Sequence, residues 1–240
     1  MRLLNIPATA PGAQTTDTPA VPDRLIEQAI ALEQVDVLFQ PLIEPLSGCV
    51  VGAEALARSS IAVSAEQLFA RAERAGAAER LSRLVQRKAL TAAATWEGPL
   101  KGLSISINLL PGEIAREGFE RSFLETLDTA GVDPGRVIVE ITENALLVGD
   151  QGVPERLSAL RERGVRIAID DFGTGYSSLA YLTTLPLDLK VVVEGVESCG
   201  QLTLLAEWGC DLYQGFLGAG ALTHVELVRF VTATQIREVA

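Results

Sequence analysis

In the stretch IAIDDFGTGYSSL (residues 167–179) an apolar, β-branched run ends in two adjacent carboxylates, Asp170 and Asp171, followed by Gly173 and Gly175. Side-by-side carboxylates repel each other and desolvate poorly, so water or a cation must lie close to them. The same ending recurs along the chain. Val51-Gly52-Ala53 leads to Glu54, Ser106-Ile107 to Asn108, Val137-Ile138-Val139 to Glu140, Val192-Val193 to Glu194 and Leu212-Tyr213 to Gln214. An all-oxygen donor set without Cys or His suits hard cations such as Mg2+, Mn2+ or Ca2+ rather than Zn2+. Two adjacent aspartates could serve two metals, one activating water and one steadying a phosphate. Arg58, four residues after Glu54, is placed to reach a phosphate oxygen. Taken singly, each acid could cap the next helix or pair with a surface base. As a set they argue otherwise, because caps favour Ser, Thr, Asn or Asp over Glu.

The elements that must position these groups can be read from the apolar pattern. Short Val/Ile/Leu-rich runs fall at residues 35–39, 50–53, 103–107, 137–141, 165–169, 191–193 and 212–216. Helical patterns fall between most of them, at residues 65–78, 79–95, 114–130, 153–163, 177–185 and 201–208. Strands apolar on both faces and alternating with helices indicate a parallel sheet covered by helices. Polar residues at the C-terminal ends of successive parallel strands converge on one rim of a (β/α) barrel. A doubly wound sheet would offer a crevice only at its switch point. A TIM-like (β/α) barrel is therefore expected over residues 22–240, with residues 1–21, rich in Ala, Thr and Pro, as a flexible tail.

The composition excludes several function classes. Of 240 residues 48% are hydrophobic and the net charge is −11, with no basic tract, so binding to a nucleic-acid polymer is not expected. His224 is the single histidine, which rules out a His-based triad. Thr223 and Glu226 form a capping-box pattern that puts His224 in the first turn of a helix. Three cysteines, Cys49, Cys199 and Cys210, lack metal-type spacing and read as reduced thiols. No apolar stretch is long enough to span a membrane and no signal sequence is seen, so a cytoplasmic location is expected.

Taken in order, Glu54-Ala55-Leu56 with Arg58, Asn108, Glu140-Ile141-Thr142-Glu143, Asp170-Asp171-Phe172-Gly173-Thr174-Gly175, Glu194-Gly195-Val196-Glu197 and Gln214-Gly215-Phe216 resemble the EAL-domain cyclic-di-GMP phosphodiesterases. The resemblance implies a TIM-like barrel that hydrolyses cyclic di-GMP to linear pGpG with Mg2+ or Mn2+, Ca2+ being inhibitory. By position, it implies that Glu54, Asn108, Glu140 and Asp170 ligate one metal and Asp171 a second. Glu194 would bind metal or its water, Gln214 would orient water, and Arg58, Leu56 and Gln40 would contact substrate. Glu143 and Glu197 would support the loop 172–178, which couples to dimerisation, and a homodimer is implied.

The likeness breaks at LPLDLKVVVEGVE (residues 185–197). In the family a strand carrying a catalytic lysine, and a further helix, precede the EGVE strand. Here Leu189-Lys190 runs straight into Val191, so roughly one strand-plus-helix unit is absent. Lys190 is either that lysine or the basic residue that opens the EGVE strand. The second reading is favoured, since a residue four positions before Glu194 on a strand lies about 13 Å away, at the opposite end of the barrel. Loss of one unit leaves three outcomes: a seven-strand closure, a gap with two edges, or a gap filled by a partner. Three functions follow: a metal-dependent phosphodiesterase impaired by the missing lysine, a degenerate domain that senses cyclic di-GMP, or a dimerisation scaffold.

Overall fold

Asp23 starts the ordered chain by accepting hydrogen bonds from the backbone N–H groups of Leu25 and Ile26, which caps helix α1 (Arg24–Ala31). The computed structural model describes residues 22–142, 152–170 and 190–238. Strands β1 (Asp36–Ile43), β2 (Val50–Arg58), β3 (Ser104–Asn108), β4 (Val137–Thr142), β5 (Arg166–Asp170), β6 (Lys190–Val193) and β7 (Leu212–Tyr213) close into a barrel in chain order. Around it, among the described residues, lie α2 (Ala65–Arg74), α3 (Ala78–Ala94), α4 (Pro111–Ile114), α5 (Phe119–Ala130), α6 (Val153–Glu162), α7 (Cys199–Trp208) and α8 (His224–Glu238). The expected flexible tail, the helix at 177–185, Glu143 and the stretch from Asp171 to Leu189 lie outside the described residues. Asp170 is placed only as the last residue of β5.

Of the three outcomes for a shortened barrel, seven-strand closure is the one observed. The seam is thin: β5 and β6 pair at Ala168–Lys190 and Ile169–Val191, and β7 meets β1 at Tyr213–Ile43.

Three expectations are corrected. The sheet is not all parallel, because β1 runs antiparallel to both β2 and β7. Its link to β2 is the tight turn from Glu44 to Cys49, closed by the Cys49 carbonyl accepting from the Glu44 N–H at 3.0 Å. A parallel pair would need a crossover of a dozen residues or more. Strand β1 also continues through Gln40-Pro41, beyond the Phe39 at which the apolar run stops. Proline is tolerated there because the ladder to β7 begins only at Ile43. The single helix expected over 114–130 is two, broken at Gly118, whose positive φ of 75° ends the first turn and starts α5.

The main core lies between strands and helices. It gathers the fully buried Ile105, Val139, Ile141 and Ile167 from the outward strand faces against Leu90, Leu127 and Leu157 from α3, α5 and α6. Trp96 stands edge-on to Phe39 at 5.6 Å. A second, smaller cluster fills the barrel itself: Leu42, Ile138, Ala168 and Leu212, with Val192 against them. This inner layer is the floor on which the rim stands.

Candidate active site

Strand periodicity carries the inner layer to the rim. Gly52 pairs with inward Leu42, so two residues further on Glu54 faces the same interior, followed by Leu56 and Arg58. Gly52 itself sits against β3, where a Cβ would meet the Ser104 carbonyl at 2.8 Å. Gln40 lies directly opposite Glu54. Asn108 pairs with Glu140 and Thr142 with Asp170, which brings the ends of β3, β4 and β5 to one level.

Four of the polar rim groups are joined directly. Glu54 accepts from Asn108 Nδ2 at 2.8 Å through one carboxylate oxygen and from Gln214 Nε2 at 2.8 Å through the other. The same Gln214 nitrogen donates to Glu194 at 2.9 Å. Glu140 accepts from Ser106 Oγ at 2.7 Å. Glu54, Glu140 and Gln214 are buried, whereas Asn108 and Glu194 reach solvent. Ser106, which the sequence pattern leaves unmarked, joins the rim because β3 alternates Ser104, Ser106 and Asn108 inward. That alternation was its available signal.

Local backbone geometry makes the Gln214–Glu194 meeting possible. Gln214 donates its N–H to the Val193 carbonyl at 2.9 Å and accepts from the Val196 N–H at 3.1 Å. The next residue, Gly215, has φ +150°, and a Cβ there would fall 2.3 Å from the backbone N and O of Val196. Only glycine allows the two strand ends to lie this close.

The other expected site residues are distributed as follows. Arg58 ends β2 on the Glu54 face and donates to the Ala57 carbonyl at 2.8 Å. Leu56 is half-buried between them, and Gln40 donates to the Ala219 carbonyl at 3.3 Å. Glu197 is exposed, with its backbone N–H donating to Gln201 Oε1 beside the Ser198–Gln201 capping box of α7. Lys190 opens β6 at the end of the barrel opposite the rim and ion-pairs with Asp211 at 2.8 Å. The Thr223–Glu226 capping box is formed and puts His224 in the first turn of α8. Cys49, Cys199 and Cys210 take part in no disulfide among the described residues.

Does this rim suit a cation? Among the described residues no three Asp, Glu, His or Cys side chains by themselves enclose one. The oxygen donors nevertheless fit a hard divalent ion once the amides are counted. Gln214 Oε1 is buried and has no hydrogen-bond partner among the described residues, while its nitrogen is fully engaged by two carboxylates. A buried acceptor left unpaired beside paired carboxylates calls for a proton donor such as water, or a cation.

Comparison with known proteins adds to this geometry. A sequence model of the EAL domain matches residues 23–189, and the match stops one residue before β6. The cyclic di-GMP phosphodiesterase NbdA of Pseudomonas aeruginosa is 32% identical over 249 aligned positions, which span 87% of this chain and 31% of that protein. Since 87% of 240 residues is about 209, about 40 positions of that relative have no counterpart here, the size of one strand-plus-helix unit. Among solved structures, the PaMucR phosphodiesterase in complex with c-di-GMP superposes with a TM-score of 0.76 at 28% identity, covering 85% of this chain and 98% of that one. BlrP1 of Klebsiella pneumoniae, in a manganese and cyclic-di-GMP complex, gives 0.68 at 29% identity, with coverage of 79% and 56%. The chain spans about a third of the length of the curated relatives it matches.

Proposed function

The chain belongs to the EAL domain family, and from that premise we propose that it hydrolyses cyclic di-GMP to linear pGpG with Mg2+ or Mn2+. The observation that carries the reading is the Asn108–Glu54–Gln214–Glu194 chain at the rim, with one buried amide oxygen of Gln214 left to accept. Relatives that are named phosphodiesterases, and a solved relative holding manganese with cyclic di-GMP, support it.

In this reading Glu54, Asn108, Glu140, Asp170, Asp171 and Glu194 hold the metals. A bound divalent cation would supply a lowered pKa for water and neutralise the charge of the diester. Gln214, fixed by two carboxylates, aims its remaining oxygen to accept a hydrogen bond from the attacking water and so orient it. Arg58 holds a phosphate oxygen, and Leu56 and Gln40 shape the place of the substrate beside it. Glu143 and Glu197 support the loop after Asp171. Reduced cysteines suit a cytosolic location, and the family pattern supports a homodimer.

A second reading, a sensor that binds cyclic di-GMP without cleaving it, is favoured by one observation. Lys190 is tied to Asp211 at the opposite end of β6 from Glu194, so it takes no part in activating water at the rim. One assay separates the two: incubate the protein with cyclic di-GMP and Mn2+, follow pGpG, and measure binding in parallel with Ca2+. Turnover lost in Glu54→Ala supports hydrolysis. Binding without turnover supports the sensor, and neither activity leaves the barrel as a scaffold.

A further inference from the structure

Asn108 reaches Glu54 from the last residue of β3, where the chain is about to turn into the short helix α4. Three bonds pin the backbone at this turn. The Asn108 carbonyl accepts from Gln86 Nε2 at 3.2 Å, Leu109 N–H donates to the Glu140 carbonyl at 2.9 Å, and Leu110 N–H donates to Glu113 Oε2 at 3.1 Å. Gln86 comes from α3 and is itself held, donating to Ser82 Oγ at 2.8 Å and facing Glu113 Oε2 at 3.2 Å. Ser82 Oγ in turn donates to Glu113 at 2.7 Å. All three residues are buried, Ser82 being 3% exposed, Gln86 7% and Glu113 5%.

Buried polar side chains on the outer, helix-facing side of a barrel are costly unless fully bonded. These three are bonded to one another, and Gln86 and Glu113 grip the backbone on either side of residue 109. We infer that Gln86, clamped by Ser82 and Glu113, is a positioning residue: it fixes the Asn108 peptide and so the aim of its amide at Glu54 and at the cation that the rim would hold. The metal half of this inference rests on the proposed function; the aim of Asn108 does not.

The test uses the full chain. The near-isosteric Gln86→Met removes the donor, and Ser82→Ala loosens the clamp while leaving Gln86 in place. Leu90→Ala, a buried core change on the same helix, controls for lost stability. The first readout is the Asn108 side-chain amide in a 1H–15N spectrum without metal. Both clamp variants should move and broaden that pair, and Leu90→Ala should leave it in place; an unchanged pair in Gln86→Met overturns the inference. The second readout is titration with Mn2+ alone, where Gln86→Met should weaken binding about 10-fold or more, the usual cost of losing a group that orients a ligand. Equal Mn2+ affinity in wild type and Gln86→Met overturns the coupling to the cation. A wild type that takes up no Mn2+ overturns the metal half and the proposed function together, and the amide spectrum then decides the positioning claim alone.

Discussion

Replacing Glu54 by glutamine separates what this residue does for the fold from what it would do for chemistry. The carboxylate is 4% exposed and accepts two amide bonds of 2.8 Å. Glutamine fills the same volume. Gln214 is committed, because its nitrogen also serves Glu194, so the new amide must turn its oxygen toward Gln214. Its nitrogen then faces Asn108, which reaches solvent and can turn its own oxygen to accept. Both contacts survive as neutral bonds, each weaker by about half of the 1.5–3 kcal/mol typical of a charged partner. Relief of repulsion from neighbouring Glu194 works in the opposite direction. The net loss is no more than about 2 kcal/mol, or about 4–8 °C in Tm for a chain of this size. Chemistry suffers far more. One unit of negative charge near a cation is worth about 4 kcal/mol at 4 Å in an effective dielectric of 20. Even if a water molecule replaces half of that, Mn2+ binding and pGpG formation should fall at least about 30-fold. Calorimetric Tm, Mn2+ titration and product chromatography on one preparation settle the matter. Wild-type turnover in Glu54→Gln, or a variant that does not fold, would refute this account of the rim.

Three further outcomes are expected. Lys190→Ala should lose the half-exposed pair with Asp211, worth about 0.2–1 kcal/mol, and should leave turnover or binding of cyclic di-GMP unchanged; a large drop in turnover would restore Lys190 as the catalytic lysine. Gly215→Ala forces a methyl group against the Val196 backbone, so it should cost about 1–3 kcal/mol by thermal melting and separate Gln214 from Glu194, lowering turnover as well. The third concerns pH. The Arg71 guanidinium beside Asp23 holds its carboxyl below the usual carboxylate range. A depressed folded-state pKa stabilises above the unfolded value of about 3.9 and is lost as pH falls below it. The Tm gap between wild type and Asp23→Asn should therefore be constant near neutral pH and shrink below about pH 4; a gap that widens in acid would contradict the assignment.

Much of this architecture was legible in the chain because local rules carry it. Rim positions at Glu54, Asn108, Glu140, Asp170, Glu194 and Gln214 are marked by where apolar runs stop, although β2 runs on to Arg58 and β4 to Thr142, and in a barrel such positions share one rim whatever the loops do. The capping box at Thr223–Glu226 is set by bonds within a single turn. The shortened link before the EGVE strand was visible as a deletion, and the position of Lys190 followed from strand rise alone.

What a linear pattern cannot specify is which groups meet across the barrel. The antiparallel entry of β1 depends on a short turn and on how the sheet closes. Nothing in the alternation of apolar residues states strand direction, since both kinds of sheet use the same period. Closure with seven strands depends on tilt and stagger agreeing around the whole ring. The bond from Gln86 to the Asn108 carbonyl spans 22 residues of sequence and its contact with Glu113 spans 27, and both exist only because α3 packs across β3. The sequence by itself determined the residue types that line the rim and the order in which they arrive. The tertiary structure alone decided that one amide, Gln214, ties Glu54 to Glu194, because a hydrogen bond across 160 residues forms only after the sheet has closed.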